Sequence, residues 1–202
     1  FELLRIICML LIICGHIAMA HGHNTFGDDS WNINNFVRAL CCVAVNVFVL
    51  ISGYFSIQLK YPKLIHMNNM VTFYSICFLL FGILIGFHEF NIKTDFTHFI
   101  PVITKQYWFI TIYFVLCLIS PYLNNFSSQI NKSDFKGLLI ILFLLFCLLP
   151  TIGYILNFRN ITEDAGYGIV NFIFLYLLGR YFKLHFNLDI NAKKYLLIYF
   201  CS

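Results

Sequence analysis

Two ionisable side chains in the first apolar segment have the types and the spacing to do chemistry. Arg5 and His16 are 11 residues apart, which on an α-helix is three turns plus about 20°, and about 16 Å along the axis. Both side chains are therefore predicted to lie on one helix face. Histidine is the side chain best suited to move protons near neutral pH. His16 is therefore the first candidate catalytic residue.

Each of these residues also has a structural explanation. Arg5 could extend its charge to lipid phosphates at the end of a membrane helix, and a neutral His16 could be satisfied by a neighbouring helix. His21 and His23 follow in the sequence. Their spacing does not place three ligands on one helix face, and no carboxylate or cysteine is adjacent, so no metal site is predicted.

Four further polar residues lie in the second apolar segment and just after it. Arg38 and Asn46 are eight residues apart and share roughly one helix face. They either line the same cavity as His16 or form hydrogen bonds between helices. Lys60 and Lys63 lie in the short loop that follows, and two lysines at this spacing form a plausible site for a phosphorylated ligand. The positive-inside bias of membrane proteins also explains lysines at this position.

The elements that position these residues are predicted to be membrane helices. Of the 202 residues, 60% are hydrophobic and 11% are charged, whereas a soluble domain has about 25% charged residues. This composition excludes a disordered chain, a disulfide-rich secreted scaffold and an ordinary cytosolic enzyme. The net charge of +4 is spread over several loops, so the expected partner is the lipid bilayer and not nucleic acid.

Six segments are long and apolar enough to cross a membrane, since a spanning helix needs about 20 apolar residues. The predicted spans are residues 3–20, 35–55, 68–87, 107–126, 137–157 and 166–186, and a seventh begins at Lys194. Gly82 and Gly86 in the third span have the spacing that lets another helix approach closely. The predicted fold class is therefore all-α, a polytopic transmembrane helical bundle. We interpret residues 1–202 as a single integral membrane domain that is truncated at both ends.

The charges of the connecting loops predict the orientation of the bundle. The loops after the second, fourth and sixth spans carry lysine pairs, at positions 60 and 63, 132 and 136, and 193 and 194. The alternate loops carry fewer cations and most of the acids. The N-terminus and the loop that contains Lys60 are therefore predicted to be cytoplasmic. Inside the spans, ionisable groups are expected only at Arg5, His16 and Arg38, and each of them needs a reason to be there.

Several short stretches, in chain order, together resemble one known family. They are ELLRIICMLLIICGH at 2–16, NVFVLISGYF at 46–55, YWF at 107–109 with SPYLN at 120–124, and FLYLLGRY at 174–181. The ordered set is similar to the acyltransferase 3 family of membrane proteins and covers most of the chain.

The resemblance implies transfer of an acyl group, often acetyl, from acyl-coenzyme A at the cytoplasmic side to a hydroxyl of a surface carbohydrate. His16 matches the essential histidine of the family and would act as general base, and Arg5 matches its first-helix arginine. Lys60 and Lys63 stand where the family has an Arg-x-x-Arg sequence. With Arg5 they would bind the phosphates of coenzyme A, although lysine lacks the two-pronged geometry of a guanidinium.

The residues of the second apolar segment are the candidates for the acceptor site, and two other functions fit the same polar residues. Arg38 and Asn46 are expected to face the carbohydrate acceptor, and no tightly bound cofactor is expected. The expected location is the plasma membrane of a bacterium. The main alternative is a membrane transporter or flippase for an envelope precursor, in which His16 lines a permeation path. A non-catalytic membrane subunit is a third possibility, and it would tolerate asparagine or glutamine in place of His16.

Overall fold

The computed structural model describes residues 2–21, 31–157 and 166–186. Every regular element within these ranges is a helix, so the all-α prediction is confirmed. The α-helices are α1 (Glu2–His21), α2 (Trp31–Tyr54), α3 (Tyr61–Leu84), α4 (Ile92–Asp95), α5 (Trp108–Gln129), α6 (Lys132–Phe143), α7 (Leu149–Leu156) and α8 (Ile169–His185). A 3-10 helix, Phe96–Phe99, follows α4, and a π-helix, Leu144–Leu148, joins α6 to α7.

Four helical segments within the described ranges are long and apolar enough to cross a membrane. They are Asn35–Tyr54, Tyr61–Leu84, Trp108–Gln129 and Lys132–Leu156, and they correspond to the second to fifth predicted spans. The first and sixth predicted spans are also helical, as α1 and α8, but they are not among these four. The predicted number of six spans is therefore not confirmed.

Two of the predicted loops are shorter than expected because their lysines start helices. Lys63 lies in the first turn of α3, next to Pro62, which is favoured there because a residue at the start of a helix needs no N–H partner. Lys132 is the first residue of α6. The side chain of Asn131 caps this helix by accepting a hydrogen bond from the backbone N–H of Asp134, at 2.9 Å.

Pro150 accounts for the irregular segment between α6 and α7. A proline inside a helix removes one backbone donor and its ring clashes with the carbonyl of the fourth residue before it. That carbonyl belongs to Phe146, which lies within the π-helix Leu144–Leu148. The helix accommodates the proline by widening over the preceding turn, so the chain continues from α6 into α7 without a loop.

The centre of the bundle is α2, which packs against both α1 and α8. Helix α8 also packs against α5 and α6. Side chains between these helices are fully enclosed, among them Val49, Leu116, Phe172 and Tyr176. The three central helices α2, α5 and α8 therefore form the frame on which the polar residues are carried.

Most of the basic side chains of the described helices lie at one end of the bundle. Arg5 at the start of α1 contacts Phe55 just after α2, so α1 runs antiparallel to α2. Helices α5 and α8 end near the same place, because the side chain of Arg180 reaches both Ser56 and Ser127. We call this the basic end, and it carries Arg5, Lys60, Lys63, Lys132, Arg180 and Lys183.

A carboxylate fixes the connection between α3 and α5. Asp95 is buried and accepts hydrogen bonds from the backbone N–H of Asn91 and from the side chain of His88, both at 2.8 Å, and from the hydroxyl of Thr94 at 3.2 Å. The bond from Asn91, followed by those from His88 and Thr94, lowers the pKa of Asp95 below its ordinary value of 3.8 although burial opposes this shift.

This lowered pKa predicts how the connection responds to acid. Because the pKa of Asp95 is lower in the folded state than in the unfolded state, the ionised carboxylate stabilises the fold above about pH 3.8. This stabilisation is lost as the pH falls through the lowered pKa. We expect hydrogen exchange of residues 88–99, corrected for intrinsic rates, to be slow at pH 6 and faster at pH 3. Asp95→Asn should exchange faster already at pH 6, whereas Glu89→Gln, at an exposed carboxylate nearby, should behave as wild type. Wild-type protection in Asp95→Asn would contradict the prediction.

Candidate functional site

His16 lies at a cavity of about 580 Å³ near the end of the bundle opposite the basic end. The cavity is lined by Ile12, Gly15, His16, Ala39, Cys41, Cys42, Val45, Trp108 and Tyr167. The side chain of His16 is exposed. An imidazole in this position is open to a ligand in the cavity and can exchange a proton with it.

The local sequence explains why the cavity forms beside His16. A methyl group on Gly15 would lie 2.9 Å from the Cβ atom of Cys41, so the absence of a side chain brings α1 against α2 at this point. The opposite wall is aromatic, since the rings of Trp108 and Tyr167 are 5.2 Å apart in an edge-on arrangement. The cavity therefore combines one histidine with a mainly apolar lining.

Arg5 lies at the other end of the same helix. Its guanidinium is 3.2 Å from the carboxylate of Glu2 and 5.4 Å from the centre of the Phe55 ring, and its side chain is 34% exposed. Helix α1 is continuous between Arg5 and His16, so the predicted axial separation of about 16 Å holds. The histidine and the arginine therefore belong to two separate regions.

Lys60 and Lys63 lie at the basic end with Arg5. Lys60 occupies the position just before α3, Lys63 lies in its first turn, and both side chains are exposed. Among the described residues, neither lysine has a carboxylate within ion-pair distance. Their charges are therefore available to an anionic ligand, while their binding role stays a prediction.

Of the two predicted acceptor residues, only Asn46 has its side chain among the described parts of the chain. Arg38 belongs to α2, but its side chain lies outside the described part of the chain. Asn46 is half-buried, and its Oδ1 atom is enclosed without a hydrogen-bond partner among the described residues. Asn46 is one helical turn from Cys42, which lines the cavity, but Asn46 itself does not line it.

The backbone just before Lys60 is held by hydrogen bonds from two other helices. The N–H of Ile57 donates to the hydroxyl of Tyr176 at 3.0 Å, and the carbonyl of Ile57 accepts from the Asn124 side chain at 3.0 Å. The Tyr176 hydroxyl donates in turn to Asn124 Oδ1 at 2.8 Å. Ser56 has a positive φ of 58°, which is uncommon for a residue other than glycine. We call residues 56–57 the clamped turn.

A family model described as an acyltransferase domain matches residues 1–202. The chain belongs to the acyltransferase 3 family. No curated protein and no solved structure gives a significant match. The family and the four apolar helices together identify an integral membrane protein of the acyltransferase type.

The predicted span 166–186 of this acyltransferase contains three ionisable groups that were not expected inside a span, Arg180, Lys183 and His185, and the last two lie in the final turn of α8. The prediction that only Arg5, His16 and Arg38 occupy such positions is wrong, because Arg180 is buried within α8. An arginine inside the apolar segment 166–186 was the available signal. Tyr167, at the cavity wall, gave no comparable signal, because its contact with Trp108 depends on the packing of α5 against α8.

Proposed function

We propose that this membrane acyltransferase moves an acyl group, acetyl in the simplest case, from acyl-coenzyme A to a hydroxyl of a cell-surface glycan, with His16 as general base. The observation that supports this most is the exposed His16 side chain at a cavity of about 580 Å³ in a chain of the acyltransferase 3 family. This volume lies within the range of about 300–1,000 Å³ typical of small-molecule sites.

The chemistry requires a base at one step and an acid at the next. A sugar hydroxyl is a weak nucleophile, so a ring nitrogen of neutral His16 removes its proton as the oxygen attacks the thioester carbonyl. The tetrahedral intermediate then collapses, the carbon–sulfur bond breaks, and the imidazolium returns the proton to the leaving thiolate. The products are the glycan ester and free coenzyme A, and no covalent acyl-enzyme is needed.

The donor is proposed to extend from the basic end to the cavity. Arg5, Lys60 and Lys63 bind its phosphates, and the thioester lies beside His16, about 16 Å further along α1. Coenzyme A has this layout, because a long flexible arm separates its phosphates from its sulfur. The basic end then faces the cytoplasm, where acyl-coenzyme A is made, and the protein lies in the plasma membrane of a bacterium.

The acceptor is proposed to enter from the opposite end. Arg38 and Asn46 belong to the part of α2 that borders the cavity, through Ala39 and Cys42. The unpartnered Oδ1 of Asn46 is a hydrogen-bond acceptor of the kind that binds a sugar hydroxyl.

The proposal is tested by the acyl content of the surface glycan in the organism that makes the protein. Mass spectrometry compares wild type, a deletion strain and the deletion strain complemented with the wild-type gene. We expect deletion to remove one acyl mass from the glycan and complementation to restore it. A deletion strain with unchanged glycan masses would contradict the proposed reaction and favour a transporter.

A further inference from the structure

Arg180 is a buried cation that the proposed reaction does not use. Only 9% of its surface is exposed. Its Nε–H donates to the hydroxyl oxygen of Ser127 at 3.1 Å, and its Nη1 group donates to the hydroxyl oxygen of Ser56. Both partners are neutral, and no carboxylate among the described residues lies within ion-pair distance of Arg180.

An uncompensated buried charge needs a counter-ion. Burial of a cation costs free energy unless an opposite charge or a full set of hydrogen bonds replaces water. A guanidinium has five N–H donors, and the two serines account for two of its nitrogen atoms. A phosphate group supplies both the missing charge and several acceptor oxygens, and it matches the planar donor arrangement of arginine.

The surroundings of Arg180 also favour an anion. Lys60 and Lys63 lie at the same end, and Lys183, one turn further along α8, is 5.1 Å from the ring of Tyr54. The described carboxylates nearest in sequence to the cations of the basic end are Glu2, which pairs with Arg5, and Asp134, so cations outnumber carboxylates there. The local field is therefore positive and attracts anions.

The two serines fix the position of the Arg180 guanidinium. Ser56 belongs to the clamped turn, which Tyr176 and Asn124 fix through Ile57. Ser127 is buried on α5, and it donates its hydroxyl hydrogen to the backbone carbonyl of Asn124 at 2.9 Å while its oxygen accepts from Arg180. The donors of Arg180 are thus pre-organised by the clamped turn and by α5, which lowers the entropic cost of binding.

We propose that Arg180, held in position by Ser56 and Ser127, binds a phosphate group. The identity of the carrier rests on the proposed function, which makes it a phosphate of acyl-coenzyme A. The headgroup phosphate of an anionic lipid has the same chemistry, and a binding experiment with both kinds of probe separates the two sources.

The test measures binding to the full-length protein in a maltoside detergent, which contains no phosphate. The probes are coenzyme A, pantetheine, which lacks the phosphates, and mixed micelles that contain phosphatidylglycerol. We expect Arg180→Gln to raise the Kd for coenzyme A by about 10- to 100-fold, as for loss of a hydrogen-bonded charge, and to leave pantetheine binding unchanged. Lys93→Gln, which removes an exposed charge from α4, outside the basic end, serves as the control and should change the Kd much less.

The ligand-free melting temperature separates binding from a structural role. Removal of an unpaired buried cation should leave the melting temperature of Arg180→Gln unchanged or raise it, whereas loss of a structural contact would lower it. If this variant does not fold, Arg180→Lys and Ser127→Ala replace it, and both should weaken coenzyme A binding.

Three results are decisive. Arg180-dependent binding of phosphatidylglycerol, without binding of coenzyme A by wild type, would support the phosphate site and contradict the proposed donor. Equal binding of every probe by wild type and Arg180→Gln would overturn the site and leave the proposed reaction untouched. A lowered melting temperature with unchanged Kd would overturn it in favour of a structural role.

Discussion

His16→Ala is expected to reduce acyl transfer by about 10²- to 10⁴-fold, the usual contribution of a general base. The sugar hydroxyl would then have to lose its proton to water in a mainly apolar cavity. The affinity for the donor should not change, because its phosphates are proposed to bind about 16 Å away along α1. The measurement is the initial rate of label transfer from radioactive acetyl-coenzyme A to the glycan in membranes with matched protein levels.

Two further variants make this experiment specific to proton transfer. His16→Gln keeps a polar side chain of similar length but cannot act as a base near neutral pH, so it should be as inactive as His16→Ala. His66→Ala removes a histidine that is exposed on α3 and does not line the cavity, and it should transfer at the wild-type rate. Wild-type transfer by His16→Gln would contradict the base and favour a structural or partner-binding role for His16.

The helical architecture could be predicted from the sequence because hydropathy reports directly on the length of apolar segments. The observed α3, Tyr61–Leu84, begins seven residues before the predicted span 68–87. Pro62 begins a helix in a stretch whose lysines indicate a loop. Helix α8 has 17 residues, fewer than the about 20 that a spanning helix needs. The apolar segment 166–186 is longer than the helix that it forms, so hydropathy alone did not settle the number of spans.

The candidate site was only partly predictable, because spacing along one helix is visible in a sequence and contacts between helices are not. The separation of Arg5 and His16 follows from one continuous helix. The cavity beside His16 depends on Trp108 and Tyr167, which approach α1 only through packing. The same limitation applies to Arg180, whose serine partners are 53 and 124 residues away in the chain.

The glycines that bring two helices together could not be identified from the sequence. Gly82 and Gly86 have the spacing for a helix contact, but Gly86 lies beyond the end of α3 with a positive φ of 72°. A methyl group on Gly86 would meet no neighbour within 4 Å among the described residues. Gly53 and Gly179 do make a close helix contact, without any shared motif. Two glycines far apart in the chain cannot be paired from spacing.

Gly53→Ala is expected to destabilise the protein by about 1–3 kcal/mol or more, the range for overpacking a closely packed interior. A methyl group on Gly53 would overlap the carbonyl oxygen of Tyr176. Backbone atoms cannot rotate away as a side chain does, so α8 has to move. This movement would also displace the Tyr176 hydroxyl from Ile57. The measurement is the free energy of unfolding in mixed detergent micelles.

The matched control is Gly137→Ala, because Gly137 also lies in a helix but a methyl group there would meet no neighbour within 4 Å among the described residues. Alanine is favoured over glycine in a helix interior by up to about 1 kcal/mol, so this variant should be as stable as wild type or more stable. Gly179→Ala should destabilise like Gly53→Ala, since its methyl group would overlap the carbonyl oxygen of Leu50. The double variant should lose less than the sum of the two, because either methyl group alone already separates the helices. Equal stability of Gly53→Ala and Gly137→Ala would show that α2 and α8 are not in direct backbone contact, and the clamped turn would then need a different support.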